Sequence, residues 1–405
     1  MHHKTQAGMT SNRRRFLGSA GAAALAAPLP RLTAAPNLTL TKLEIFRIPV
    51  NRRGAWLLTR IHTSAGVSGI GDASHGHDPR TVGLLRQFFE IVRGRGVDSV
   101  EFLRSQAGPV AMREGVTGGI ALSGIEQCLW DIAGKAYGVP VHSLLGGRLR
   151  DTIRNYANIN RSTDPRTPAG FAAMAERAIA SGFDAVKLAP FDEMPRNPDD
   201  ATAEQYTRRG IECATAVRKA IGEKNDLLID AHEHFTLARG LELARRMEPL
   251  HLFWLEEVTP DVADLARINQ EAKMQTAGGE KRYGVKDFYP YIRASAVDIV
   301  MPDVKACGGV LQLKEIAALA EAAGIPVSPH GPASPVGNMV AAQVCVTMPN
   351  FLILEHSYGE VPWRAEIIDP PEEIGHGGQM RISSVPGFGI QINEKLANRL
   401  GGLVS

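Results

Sequence analysis

Between residues 187 and 355 the sequence repeatedly ends a short apolar run on a residue that can carry charge or move a proton. Lys187 follows "FDAV", Asp230 ends "LLID", Glu256 and Glu257 follow "FWL", and Glu280 ends "TAGGE". Asp303 ends "IVMPD", His330 ends "PVSPH" and Glu355 follows "LIL". Brought to one point, Asp230, one of the Glu256/Glu257 pair and Glu280 would offer three hard oxygen donors. Such a set suits Mg²⁺, which leaves its other positions to water or substrate oxygens. Without a cation the three carboxylates would repel one another. Asp303 and His330 suggest a second unit, because a carboxylate on an imidazole fixes its tautomer and supports it as a proton acceptor. The densest stretch is "LLIDAHEHF", residues 227–235. On an extended strand Asp230 and His232 share a face and Glu233 takes the other. His234 falls on the side of His232 but beyond the strand end.

The elements around these residues explain how they could meet. From Arg154 onward, short apolar runs alternate with amphipathic helical stretches such as "GFAAMAERAIASG" and "LQLKEIAALAEAAG". Eight runs in this rhythm predict a parallel α/β barrel rather than an open doubly wound sheet. The carboxyl-terminal ends of barrel strands face one opening, so residues distant in sequence converge there. Before the barrel, residues 36–150 read as a separate α+β domain. Strand-like "LTLTKLEIFRIPV" and "AWLLTRIHTSAGVSGIGDAS" precede a helix, "GGIALSGIEQCLWDIAGKAYG", closed by Gly138 and Pro140. The barrel is expected over residues 151–364. Residues 365–405 are rich in turns and are expected to return to the first domain. No GxGxxG or P-loop follows any strand, so nothing supports nucleotide binding.

Taken in order, these pieces resemble the enolase superfamily, in its mandelate racemase-like branch. "ALSGIEQCLWDIAGKAYGVPVHSLLGG" is similar to the end of the family's capping domain. "IDAH", "WLEEV", "GGE", "VMPDVKACGGV", "PVSPH" and "LILEH" are similar to its successive barrel strands. The resemblance implies a (β/α)7β barrel with an N-terminal capping domain. It also implies a Mg²⁺ site of Asp230, Glu256 and Glu280, choosing Glu256 over Glu257. It pairs Asp303 with His330 as a catalytic dyad. Glu355 becomes a hydrogen-bond donor to a substrate carboxylate, with Lys187 near that same carboxylate. Lys305, two residues after Asp303, reads first as a loop lysine.

Two departures shape the expected reaction. Racemases of the family carry a second lysine two positions after the first; here the sequence reads Lys187–Leu188–Ala189, and Ala189 cannot take a proton. Asp230–Ala231–His232 instead resembles the sugar-acid (galactonate- and mannonate-type) dehydratases. The implied chemistry is Mg²⁺-dependent dehydration of an aldonate-like sugar acid. His330 removes the proton α to the carboxylate, and Lys187 and Glu355 help stabilise the enediolate. His232 protonates the departing β-hydroxyl, and a 2-keto-3-deoxy acid results. An epimerase or cycloisomerase would share the same enediolate. A non-catalytic exported sugar-acid-binding protein is the other alternative, though binding alone needs no base aimed at an α-carbon. His75 and His77 read either as contacts to a sugar hydroxyl or as ordinary loop residues.

Composition narrows the rest. The 405 residues are 44% hydrophobic and 22% charged, with a formal net charge of +2, so no polyanionic partner is implied. Neither nucleic acid nor, for the mature protein, a membrane is an expected partner; a small carboxylate is. The four cysteines show no CxxC pairing and read as buried thiols. Residues 1–35 are set apart: Arg13, Arg14 and Arg15 precede Phe16–Leu17 and an Ala/Gly-rich run. This resembles a twin-arginine export signal, implying a periplasmic mature protein. The resemblance further implies a homo-oligomer of unspecified state.

Overall fold

The first strand hairpin forms where the sequence alternates. β1 (Leu40–Asn51) pairs antiparallel with β2 (Gly54–Thr63), which pairs with β3 (Ser68–Asp72). This description comes from a computed structural model and covers residues 38–404, apart from residue 53, residues 75–77 and residue 332. Residues 1–35, expected to act as an export signal, and His75 and His77 lie outside the described residues.

Two helices cover one face of the sheet, α1 (Arg80–Val92) and α2 (Val100–Tyr137). Leu85, Phe88, Leu103, Ile125, Leu129 and Ile132 seal them against Ile45 and Ile61. α2 ends where the sequence predicts, at Gly138, whose φ of +69° suits a residue without a Cβ. A single turn, α3 (Val141–Leu144), leads to the barrel.

The barrel strands are β4 (Thr152–Asn158), β5 (Ala185–Leu188), β6 (Asp226–Asp230), β7 (Trp254–Glu256), β8 (Thr276–Gly278) and β9 (Ile299–Val300), paired in parallel order. The seventh position narrows to Val327, which bridges Val300 on one side and Phe351 on the other. The eighth strand, β10 (Leu354–Ser357), closes the ring against β4. Seven helices intervene: α4 (Pro168–Ala180), α5 (Asp200–Ile221), α6 (Leu237–Met247), α7 (Val262–Glu271), α8 (Gly284–Arg293), α9 (Val310–Ala322) and α10 (Pro335–Cys345). The architecture is the expected (β/α)7β barrel.

Local chemistry fixes several helix starts. Asp199 accepts from Thr202 N at 2.7 Å, Asp261 from Ala263 N and Asp264 N at 2.9 Å, and Ser334 caps α10 ahead of Pro335. Inside the ring Tyr156, Leu228, Trp254, Ile299, Met301 and Ile353 form a buried apolar plug. That plug is the floor on which the ionisable strand ends stand.

The C-terminal stretch binds both layers. β13 (Gln379–Arg381), preceded by β11 (Ile368–Asp369) and β12 (Ile374–Gly375), pairs with β4. Phe388 N donates to the buried Asp131 of α2 at 2.8 Å, and Val404 N donates to Ile45 O of β1 at 2.9 Å. All four cysteines are buried and free. No described helix is long and apolar enough to cross a membrane.

Candidate active site

The carboxyl ends of the barrel strands open into one cavity beneath the β1–β2 turn. Lys187, Asp230, Glu280, Asp303 and His330 all line it, as do Trp56 and Ser74 from the capping layer. Glu256 and Glu355 lie under its surface, fully buried. The expected set therefore does converge, and the pairings within it carry the detail.

His330 sits three residues beyond the seventh strand position. Its Nδ1 lies 2.8 Å from Asp303 Oδ2, and its Nε2 lies 3.1 Å from Glu280 Oε2. A carboxylate at Nδ1 requires the proton there, leaving Nε2 to face the cavity. Burial alone would lower the pKa of His330, but Glu280, Glu355 and Asp303 outweigh it and hold it up at about 9. Asp303 is itself kept below the ordinary carboxylate range: burial opposes this, while Lys305 and His330 prevail. Lys305 is thus more than a loop lysine. It is buried, lines the cavity and places Nζ 3.1 Å from Asp303 Oδ2.

Lys187 stands among carboxylates, 2.6 Å from Glu256 Oε1, 3.2 Å from Glu355 Oε1 and 3.3 Å from Asp230 Oδ2. Its ammonium supplies the positive charge that a buried acidic cluster requires. Burial and the neighbouring Asp230 push Glu256 upward, whereas Asp230 is held low because His232 and Lys187 overcome its burial. Glu257 points elsewhere and accepts from the Gly279 backbone, so geometry separates the two neighbouring glutamates.

Three differences from expectation stand out. Glu256 is already occupied: Oε1 accepts from Lys187, and Oε2 accepts from Trp254 Nε1 at 2.8 Å. The donor atoms that come within 4.8 Å of one another belong instead to Asp230, His232 and Glu280. Glu355 accepts at both oxygens, from Asn158 Nδ2 at 2.6 Å and Gly331 N at 2.8 Å. Burial would raise it, but Lys187 and His330 hold it low, so in this arrangement it is an acceptor rather than a donor. The third concerns His232. β6 stops at Asp230, and His232 and Glu233 adopt φ of +44° and +57°. The ring reaches the site by this left-handed turn, not by strand alternation, at a cost of roughly 1 kcal/mol or more per residue.

Once turned, His232 places Nε2 3.0 Å from Asp230 Oδ2 and Nδ1 against Asp192 Oδ1. Asp192 is the residue that sequence reasoning missed. It follows β5 within "PFDEM" and is held at Oδ2 by Asn160 Nδ2 (2.9 Å) and Arg166 Nη2 (3.3 Å). Its only sequence signal was a carboxylate just past a barrel strand; nothing in the spacing ties it to a histidine forty residues on. Glu233 pairs with Lys281 at 2.6 Å and does not line the cavity. His234 is half-buried, does not line the cavity, and has an unpaired Nδ1.

The donor set fits a hard divalent cation. Asp230 Oδ2 and Glu280 Oε2 are buried and accept no hydrogen bond of sound geometry, although cationic groups lie 3.0–3.3 Å away. Contacts that are close but misaligned satisfy an oxygen poorly, so both oxygens keep capacity for a cation.

Known proteins resemble this chain in sequence and in fold. Residues 46–146 match the mandelate racemase / muconate lactonizing enzyme N-terminal domain, and residues 170–396 match the enolase C-terminal domain-like family. The chain belongs to the mandelate racemase-like branch of the enolase superfamily. It is 31% identical to a D-xylonate dehydratase of Haloferax volcanii, across 84% of this chain and 83% of that one. It is 30% identical to a D-galactonate dehydratase of Variovorax paradoxus, across 88% and 93%. A mandelate racemase/muconate lactonizing enzyme-like protein from Rubrobacter xylanophilus superposes with a TM-score of 0.82 at 30% identity, across 90% and 98%. These likenesses group the chain with the hydro-lyases of the superfamily.

Proposed function

We propose that this chain is a Mg²⁺-dependent dehydratase of an aldonate-like sugar acid. The observation that carries the reading is a pair of histidine–aspartate units, His330–Asp303 and His232–Asp192, whose two imidazole rings line one cavity. Their strands are the seventh and third of eight, so the two rings approach from opposite sides of the barrel.

On this reading His330 must act in its neutral form, which a cation held by Glu280 would favour; its Nε2 then takes the α-proton, and Asp303 at Nδ1 stabilises the imidazolium that forms. The electrons of the broken C–H bond form the enediolate. His232, oriented at Nδ1 by Asp192, delivers its Nε2 proton to the β-oxygen as that C–O bond breaks and water leaves. The resulting enol becomes a 2-keto-3-deoxy acid. Burial would make His232 harder to protonate, but Asp230 and Asp192 outweigh that and raise its pKa, which suits an acid.

Asp230 and Glu280 would hold the cation, with Glu256 as the third carboxylate once its bond to Lys187 is exchanged. Bound there, the cation would supply positive charge beside the enediolate and offset the pull of Glu280 on His330. Lys187 adds its own positive charge near the substrate carboxylate. Ala189 offers no second base on the β5 side, so His232 is the remaining proton carrier across from His330. The arginine-rich amino terminus adds export to the proposal, which fractionation of cells carrying the full chain would test.

The direct test is a panel of aldonic acids incubated with the protein and Mg²⁺, followed by NMR. Loss of water to a 2-keto-3-deoxy product is expected. An isomer of unchanged mass as the sole product would overturn the dehydratase reading, and no reaction with any acid sugar would overturn the substrate class.

A further inference from the structure

The cavity has a wall that the proton-transfer groups do not use. Arg161, just past β4, and Glu360, just past β10, both line it, together with Trp56 of β2. β4 and β10 are neighbours in the closed ring, so the two side chains meet: Arg161 Nη1 lies 3.3 Å from Glu360 Oε1. Glu360 is almost wholly buried, while the Arg161 side chain remains 23% exposed. The other oxygen, Glu360 Oε2, accepts no hydrogen bond among the described residues, and Arg364 Nη1 stands off from it at 3.7 Å. The buried Trp56 Nε1 likewise has no acceptor. Trp56 is fixed edge-on against Trp363 at 5.4 Å, with the Arg364 guanidinium 5.7 Å from its ring.

A buried donor and a buried acceptor left unpaired on one cavity wall are costly unless something pairs with them. A hydroxyl suits both, since it donates and accepts at once. A second carboxylate does not. It would find the guanidinium already neutralised by Glu360 and would meet that buried anion directly.

We infer that Arg161, Glu360 and Trp56 form a subsite for the distal hydroxyls of the substrate, and that the Arg161–Glu360 ion pair selects monocarboxylic polyhydroxy acids over dicarboxylic ones. This rests on the dehydratase reading above and specifies its substrate class. Glu360 acts as the gatekeeper: by holding Arg161 in a neutral pair it denies a distal carboxylate its counter-ion.

The test compares aldonic with aldaric acids of equal chain length, measuring kcat/KM for the wild type and for Glu360→Gln and Arg161→Leu. The wild type should prefer the aldonic acid. Glu360→Gln removes the anion and frees the guanidinium, so the aldaric-to-aldonic ratio should rise by about tenfold or more. Arg161→Leu, at the exposed member of the pair, should lose at least about tenfold on the aldonic acid, mostly in KM, and should gain nothing on the aldaric acid. If Glu360→Gln fails to fold by circular dichroism, the Arg161→Leu profile decides. An active wild type whose ratio and KM are unmoved by these changes overturns the subsite alone. A wild type inert on every aldonic and aldaric acid of the panel overturns the underlying substrate class instead, and an isomeric product overturns the dehydratase reading.

Discussion

His330 and His232 both set Nδ1 against an aspartate, yet the walls that hold them are built differently. The His330 side chain is 11% exposed and that of His232 27%. The His330 wall is fastened to the capping layer. Asp72 of β3 accepts from Ser334 N (3.0 Å) and Ser334 Oγ (2.6 Å), just past His330. From α2, Ser123 Oγ donates to Val304 O at 2.9 Å, and Glu126 accepts from Val310 N and Leu311 N at the start of α9. The His232 wall is held by barrel loops. Asn160 and Arg166 hold Asp192, and Arg196 reaches the carbonyls of His232 and Glu233 at 3.2 Å. A base must be aimed at one carbon before anything else can happen. An acid need only meet an oxygen already leaving. On the proposed mechanism, the wall fastened to the capping layer would carry the first step and the wall held by barrel loops the second.

Removing each ring in turn tests that division most strongly. His330→Asn should abolish both α-proton exchange in D₂O and dehydration, by on the order of 10³-fold or more. His232→Asn should cost dehydration roughly 10²-fold or more while the recovered substrate still gains deuterium at the α-carbon. Equal loss of exchange in both variants, read by NMR, would sink the separation of roles.

The sequence carried the His330 wall better than the other, for a physical reason. Asp303, His330 and Glu355 each close an apolar run, so strand ends alone place them, and parallel strands in a barrel must converge. Lys187, Asp230 and Glu280 were legible in the same way. His232 does line the cavity, but not by the alternation the sequence suggests, which fails where residues 232 and 233 turn left-handed. Asp192, Arg161 and Glu360 lie in loops beyond strand ends, where no period operates. Their meeting depends on loop paths that residue spacing does not encode. The states of Glu256 and Glu355 were equally hidden, since they follow from which donor stands within 3 Å.

The aspartates sharpen the comparison at smaller scale. Asp192→Asn should slow dehydration about tenfold to a hundredfold, less than loss of His232 itself, and leave α-exchange intact. Asp192→Glu, which keeps the acceptor, should recover part of that rate. Asp303→Asn should lower exchange and dehydration together. An Asp192→Asn enzyme with an unchanged rate of product formation would show that His232 needs no orienting partner.

The smallest expected effect probes the fastening rather than the chemistry. Glu126 is buried at the junction of α2 and α9, where Gly309 leaves it room; a Cβ at that glycine would fall 2.5 Å from Glu126 Oε2. Burial pushes the Glu126 carboxyl up to about 7, despite three hydrogen bonds that favour the anion, from Val310 N, Leu311 N and Trp130 Nε1. A folded-state pKa above the unfolded one means the native protein binds the extra proton. Its stabilising effect is therefore complete below pH 4.5 and is lost as pH rises through about 7. The shift corresponds to at most about 3 kcal/mol, which in a chain this long moves Tm by only a few degrees. Glu126→Gln cannot titrate, so the Tm advantage of the wild type over it should shrink between pH 4.5 and about 7 and then level off. A difference in Tm that stays constant across that window would mean Glu126 remains an anion when folded. In that event the capping helix would be fastened to the His330 wall by a full charge at the start of α9.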